Sequence, residues 1–112
     1  MSEVHLDPVV LAALQEVMEA EYGVLLDTFL ADSAGRIERL KQAVQTYDNQ
    51  ALHHIAHSFK GSCGNMGALV LARLCQQLED AVKANNQAAI ISGIECISAE
   101  FSIVRRLIEH AR

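Results

Sequence analysis

Apolar residues recur at steps of three and four over most of the chain, which predicts amphipathic α-helices. Shorter patterns of this kind cover roughly residues 8–20, 50–65 and 68–85, and a last one follows residue 86. No segment alternates with a period of two for long enough to be a strand. The pattern therefore predicts an all-α protein. The longest predicted helix covers residues 22–47, with apolar positions Leu25, Leu26, Phe29, Leu30, Ile37, Leu40 and Val44.

Polar residues mark the boundaries between these helices. Asp7-Pro8 combines an N-cap acceptor with proline at the first helical position. Asp48 and Asn49 can end one helix and cap the next, and Asn85-Asn86 marks the turn before the last helix. Four substantial helices with short connections are expected to form an antiparallel up-down four-helix bundle, with the short N-terminal helix covering one end.

Composition and charge narrow the classes of partner. The 112 residues include nine Lys and Arg against fourteen Asp and Glu, a net charge of −5 without a basic stripe, so nucleic acid is not expected. No uninterrupted apolar run reaches the length of a membrane span, and the polar N-terminus does not resemble a secretory signal. Cys63, Cys75 and Cys96 are interpreted as reduced, mostly buried thiols. We expect a single cytoplasmic domain over residues 1–112 that has no membrane partner.

The third predicted helix carries a histidine, His57, on the side opposite its apolar face. At about 100° per residue, His57 lies about 160° from Phe59, which is on the apolar side, so we expect the imidazole to point outward. His53, four residues earlier, and Lys60, three residues later, are its neighbours on that surface. The apolar side is formed by Leu52, Ile55, Ala56, Phe59, Cys63 and Met66.

Two glycines share the face of His57. Glycine inside a helix costs about 1 kcal/mol relative to alanine, so Gly61 and Gly64 weaken the helix without a packing gain within it. We interpret them as opening the surface so that another protein can approach the imidazole. An alternative for Gly64 is a role as helix C-cap, an explanation that fits Gly61 poorly.

The segment from His57 to Gly67 resembles the signature of histidine-containing phosphotransfer (HPt) domains. It reads His-Ser-Phe-Lys-Gly-Ser-Cys-Gly-Asn-Met-Gly, and the family pattern is His-x-x-Lys-Gly with a further glycine six residues on. The continuation through Leu74-Cys75 and Leu78-Glu79 is also similar to that family. Because HPt domains are four-helix bundles of about this size, the resemblance covers nearly the whole chain.

The resemblance implies a phosphorelay intermediate. His57 would accept a phosphoryl group from the aspartyl phosphate of a receiver domain in a hybrid sensor kinase. It would then pass the group to the receiver domain of a response regulator. Lys60 would place positive charge beside the phosphoryl oxygens, and Glu79 on the next helix would orient the imidazole. The chain lacks an ATP-binding motif, so it would be a phosphocarrier without kinase or ATPase activity of its own.

The same resemblance implies how the chain meets its partners. A receiver docking face would surround the histidine and include Gly61, Gly64 and His53. The receivers would supply the Mg²⁺ and the acceptor aspartate, so we expect the chain to need no metal or other cofactor. We expect it to act as a monomer.

Three alternatives remain open from the residues themselves. Glu79 is explained equally well as a solvated surface carboxylate. His53 and His57 have the helical spacing of two metal ligands, for which Glu79 is the candidate third ligand. A helical adaptor without chemistry would have the same fold, although it leaves the Lys-Gly context of His57 unexplained.

Overall fold

The computed structural model describes residues 3–111, which are almost entirely helical. A 3-10 turn (Glu19–Glu21) links the first two helices, and no strand occurs in the described range. The predicted all-α class is therefore confirmed, with helix ends within a residue or two of those predicted. The five helices are α1 (Pro8–Met18), α2 (Tyr22–Gln45), α3 (Asn49–Asn65), α4 (Leu69–Lys83) and α5 (Gln87–Ala111).

Side-chain caps begin three of the helices. Asp7, Asp48 and Asn86 each accept a hydrogen bond from a backbone N–H two or three residues later, at 2.9 to 3.2 Å. Each cap satisfies one of the N–H groups that a helix leaves unpaired at its start. Tyr47 and Asn85 adopt left-handed φ angles of 54° and 53° in the turns after α2 and α4. These short connections return the chain antiparallel to itself.

Helices α2 to α5 form a closed ring around one apolar core. Each packs against the next, and α2 also packs against α5. Helix α3 contributes the apolar side that the sequence predicted, with Ile55 half-buried at its edge. The largest fully buried side chains are Leu26, Leu40, Leu52, Phe59, Leu71, Leu78, Ile90, Ile97, Val104 and Ile108.

The turn from α3 to α4 is a Schellman motif centred on Gly67. Its φ of +75° is in the left-handed region that favours glycine. The N–H of Ala68 donates to the carbonyl of Cys63 at 2.9 Å, and the N–H of Gly67 donates to that of Gly64 at 3.1 Å. Gly67 is therefore the glycine that ends α3. The C-cap alternative for Gly64 is wrong, because Gly64 lies inside the helix.

The N-terminal segment, residues 3–7, is held by hydrogen bonds at this end of the bundle. The N–H of Asp7 donates to the carbonyl of Gly67 at 2.9 Å. His5 Nδ1 lies 2.5 Å from an oxygen of Glu100, a carboxylate of α5 whose side chain is 6% exposed. The segment thus connects the α3–α4 turn to α5 before α1 begins.

Helix α5 is long and apolar enough to cross a membrane, although polar residues interrupt its apolar positions and it was not predicted as a span. Core helices of globular proteins pass the same test, so this is weak evidence for a span. In the bundle, α5 packs against α4 and α2. Its buried side chains are Ile90, Ile94, Ile97, Glu100, Phe101, Val104 and Ile108.

Two of the three cysteines fill the core, as predicted. Cys63 on α3 and Cys75 on α4 are buried free thiols, whereas Cys96 is exposed. A hydrogen bond with Cys75, together with burial, raises the pKa of the Cys63 thiol far above its usual range. Cys63 therefore stays protonated and acts as a small apolar side chain.

Candidate functional site

His57 projects from the middle of α3, away from the core. Its side chain is 66% exposed, whereas Phe59 on the opposite side of the helix is fully buried. This confirms the orientation that helical periodicity predicted. The imidazole is therefore available to a partner without any rearrangement of the bundle.

Glu79 lies beneath the imidazole on α4. Its side chain is 4% exposed, so the interpretation as a solvated surface carboxylate is wrong. One carboxylate oxygen is 3.4 Å from His57 Nδ1. In the tautomer that donates from Nδ1, the lone pair of Nε2 is on the far side of the ring from the carboxylate. Glu79 thus favours the tautomer that has Nε2 as its nucleophilic nitrogen.

The charge of Glu79 is retained despite its burial. Burial alone would raise the pKa of this carboxyl group, because it disfavours the charged form. Hydrogen bonding and charge from Lys60 and His57 outweigh that effect, and the pKa is lowered from its usual value of 4.5. At neutral pH the site therefore contains a buried anion next to the imidazole.

Lys60 reaches the same carboxylate from α3. Its Nζ is 3.0 Å from one oxygen of Glu79, and His57 contacts the other oxygen. The ammonium also donates to the side-chain carbonyl of Gln76 at 2.7 Å. About a third of the Lys60 side chain is exposed. The structure therefore brings the three predicted residues together: His57 and Lys60 both contact the carboxylate of Glu79.

His53 lies one turn before His57 and is stacked on it. The two ring centroids are 6.2 Å apart and the planes differ by 6°. His53 Nε2 is 3.7 Å from the Glu79 oxygen that His57 contacts, too long for a hydrogen bond. No group of three His, Cys, Asp or Glu side chains within residues 3–111 is arranged to hold a metal ion.

The two glycines of the His57 face are open to solvent. A Cβ atom built on Gly61 or on Gly64 would meet no atom within 4 Å outside its own turn of helix. Neither position is required for packing against a neighbouring helix. No side chain therefore projects from these two positions of the surface beside the imidazole.

Three polar residues near the site were missed by the sequence analysis. Gln76 contacts Lys60, as described above, and Arg36 of α2 donates to the hydroxyl of Ser58 at 3.2 Å. Helical periodicity places each residue on a face of its own helix, but the relative height of two neighbouring helices decides these contacts. The i, i+3 spacing of Gln76 and Glu79 was the available signal, since it puts both on one face of α4.

Comparison with known proteins agrees with this geometry. Residues 24–111 match the Hpt domain family. The crystal structure of histidine-containing phosphotransfer protein B (HptB) from Pseudomonas aeruginosa PAO1 superposes with a TM-score of 0.93 at 50% identity, covering 98% of this chain and 96% of that one. Histidine-containing phosphotransfer protein 4 of Arabidopsis thaliana is 27% identical over 84 residues, which cover 73% of this chain and 66% of that protein.

A rice protein described as a histidine-containing phosphotransfer protein has the same fold, with a TM-score of 0.86 at 14% identity. The match covers 95% of this chain and 78% of that one. The family match and the similarity to HptB place this helical bundle in the class of histidine-containing phosphotransfer proteins. The chain is a member of the Hpt domain family. Family membership and the similarity to histidine phosphotransfer proteins support a phosphorelay intermediate over an adaptor without chemistry.

Proposed function

We propose that His57 is the phosphoryl acceptor and that Nε2 forms the bond to phosphorus. The observation that carries this assignment is the contact between His57 Nδ1 and the buried carboxylate of Glu79, at 3.4 Å on an otherwise exposed ring. That contact occupies one ring nitrogen and leaves the other free to attack. His53 is less suited, because its Nε2 faces the carboxylate.

The reaction follows from this arrangement. The Nε2 lone pair attacks phosphorus of an aspartyl phosphate, the N–P bond forms, and the P–O bond breaks with its electron pair leaving on the aspartate. The ring keeps its Nδ1 proton and becomes positively charged. Glu79 offsets that charge, and Lys60 offsets negative charge on the phosphoryl oxygens. The reverse sequence delivers the group to a second aspartate.

We propose that the two partners are the receiver domains of a hybrid sensor kinase and of a response regulator. The chain meets them one at a time as a cytoplasmic monomer. Each receiver approaches over Gly61 and Gly64, where the surface is open, with His53 at the edge of the contact. The receivers contribute Mg²⁺ and the aspartates, and this chain contributes no metal, cofactor or kinase activity.

The test is transfer from a phosphorylated receiver domain to His57→Gln. The variant is expected to keep the wild-type circular dichroism spectrum and to lose labelling completely, because the exposed imidazole contributes little to packing. His54→Gln is the matched control, since His54 is an exposed histidine of the same helix. It is expected to label like wild type.

The chemistry of the label provides a second readout. Phosphate on the wild-type protein is expected to be lost in acid and to survive in base, as for a phosphoryl group on nitrogen. Full labelling of His57→Gln would move the acceptor to His53 or His54 and contradict the assignment.

A further inference from the structure

Gln76 connects the phosphoryl-transfer site to a second carboxylate of α4. Its side-chain oxygen accepts from Lys60 Nζ at 2.7 Å, and its side-chain nitrogen donates to Asp80 at 3.0 Å. Gln76 is half-buried between α3 and α4, three residues before Glu79 on the same face. A continuous set of polar contacts therefore runs from Asp80 through Gln76 and Lys60 to Glu79.

The chemistry of the two neighbours fixes the orientation of the Gln76 amide. An ammonium only donates hydrogen bonds, and a carboxylate only accepts them. With Lys60 on one side and Asp80 on the other, the amide oxygen must face the ammonium and the amide nitrogen must face the carboxylate. A flipped amide would lose both hydrogen bonds.

We propose that Gln76 is a positioning residue for the phosphoryl transfer and acts through Lys60. This inference rests on the proposed role of His57 and Lys60. An ammonium has three hydrogens. Gln76 accepts one of them at 2.7 Å, and Glu79 Oε1 lies 3.0 Å from the nitrogen in an ion pair without hydrogen-bond geometry. The hydrogens that Gln76 does not bind are left for a phosphoryl oxygen on His57, on the exposed part of the side chain.

The neutral amide at position 76 also suits this role better than a carboxylate would. Lys60 already has one anionic neighbour, Glu79, and Asp80 lies on the far side of Gln76. An amide holds the ammonium in place by a hydrogen bond and adds no net charge. A third carboxylate would compete with the phosphoryl group for Lys60 and would repel it.

A double-mutant cycle tests the coupling between Gln76 and Lys60. Single-turnover transfer from a phosphorylated receiver is measured for Gln76→Ala, Lys60→Ala and the double variant. Gln76→Ala is expected to slow transfer several-fold in the wild-type background and to have no further effect once Lys60 is removed. Gln76→Glu is expected to slow transfer more than Gln76→Ala.

Gln77→Ala is the matched control, since Gln77 is the next residue of α4 and is exposed. It is expected to transfer at the wild-type rate. Gln76→Met keeps the length of the side chain without the amide and is expected to reproduce Gln76→Ala, which separates the hydrogen bond from packing. Circular dichroism confirms that each variant is folded.

The Lys60 ammonium provides a readout that a purely structural role would not move. Its ¹H–¹⁵N resonance is expected in wild type and in Gln77→Ala, and is expected to weaken in Gln76→Met because the held hydrogen then exchanges with water. Wild-type transfer by Gln76→Met, or slowing of equal size with and without Lys60, would overturn the proposal. Failure of wild type to label on His57 would instead contradict the proposed function.

Discussion

Glu79 is buried with a negative charge and has a charged or polar partner for each oxygen. Lys60 lies 3.0 Å from one oxygen and His57 Nδ1 lies 3.4 Å from the other. Burying a carboxylate is costly unless it is paired in this way. The interactions that stabilise Glu79 are therefore the ones that hold the proposed acceptor ring and the proposed phosphate-binding ammonium.

The lowered pKa of Glu79 predicts a dependence of stability on pH. A carboxyl group with a lower pKa in the folded state stabilises the fold above its usual pKa of 4.5, and this contribution is lost as pH falls through the lowered value. Glu79→Gln is expected to lower the free energy of unfolding by about 1–3 kcal/mol at neutral pH. It is also expected to lose less stability than wild type on acidification.

Urea denaturation from neutral pH down through the acid range measures both effects. Glu38→Gln is the control, because Glu38 is an exposed carboxylate of α2 whose ion pair with Lys41 spans 3.7 Å. An exposed pair of this kind contributes little to stability. If Glu79→Gln kept the acid sensitivity of wild type, the inferred ionisation of Glu79 would be wrong.

For single residues, the sequence predicted the direction in which a side chain points better than the residues that it contacts. The outward direction of His57 follows from the apolar positions around it, because a helix turns by a constant angle per residue. The burial of Glu79 does not follow, since its position at the edge of the α4 stripe allowed a solvated carboxylate equally well. Contacts of Glu79, Gln76 and Arg36 depend on the height of one helix against another, which periodicity does not contain.

Helix α3 is the element that presents the site, and its two glycines leave one side of it bare. A Cβ at Gly61 would meet no atom within 4 Å beyond its own turn of helix, and Gly61 lies a full turn before the end of α3 at Asn65. Replacing such a glycine by alanine is expected to stabilise the protein by up to about 1 kcal/mol. The sequence keeps glycine at a position where packing would accept alanine.

Gly61→Ala and Gly61→Arg are expected to differ in transfer from a receiver domain. Alanine adds one methyl group to the open surface and is expected to be tolerated better. Arginine is expected to block transfer, because its side chain would stand between His57 and the partner. A small donor such as phosphoramidate, which needs no protein docking, is expected to label His57 in the arginine variant.

Both reactions are measured side by side on folded protein. Transfer from the receiver at the wild-type rate in Gly61→Arg would refute the open-surface explanation. Unfolding of that variant would instead show that Gly61 serves packing, contrary to the free space around it.

At the scale of the helices, the turns were harder to predict from the sequence than the helices themselves. Helix positions followed from apolar spacing, and the caps at Asp7 and Asp48 followed from residue chemistry. The left-handed residue that ends α3 is Gly67, three residues beyond the glycine first considered for that role. Three glycines within seven residues could each end a helix, and apolar spacing did not separate them.

At the scale of the whole molecule, the four-helix ring is closed at one end by the N-terminal segment. His5 Nδ1 forms a hydrogen bond with Glu100, a buried residue of α5. Helical periodicity does not predict this contact, because it joins residues 95 positions apart. Bundle topology was predicted from helix number and short connections, whereas a fastening of this kind requires the tertiary structure.

His5→Ala is expected to lower the free energy of unfolding by about 1–3 kcal/mol, because it leaves the Glu100 carboxylate buried without its partner. Urea denaturation at neutral pH measures the change. His54→Ala is the control, since it removes an exposed histidine of α3 that does not contact the N-terminal segment. Equal stability of His5→Ala and wild type would show that the fastening contributes nothing.

The exposure of His57 also bears on how long a phosphoryl group would persist on the imidazole. An imidazole that a receiver domain can reach from one open side is equally reachable by water, since 66% of the side chain is in contact with solvent. The described part of the chain offers no lid over it. The persistence of a signal stored on Nε2 would then be set by the intrinsic hydrolysis rate of the N–P bond and by the concentration of waiting receivers.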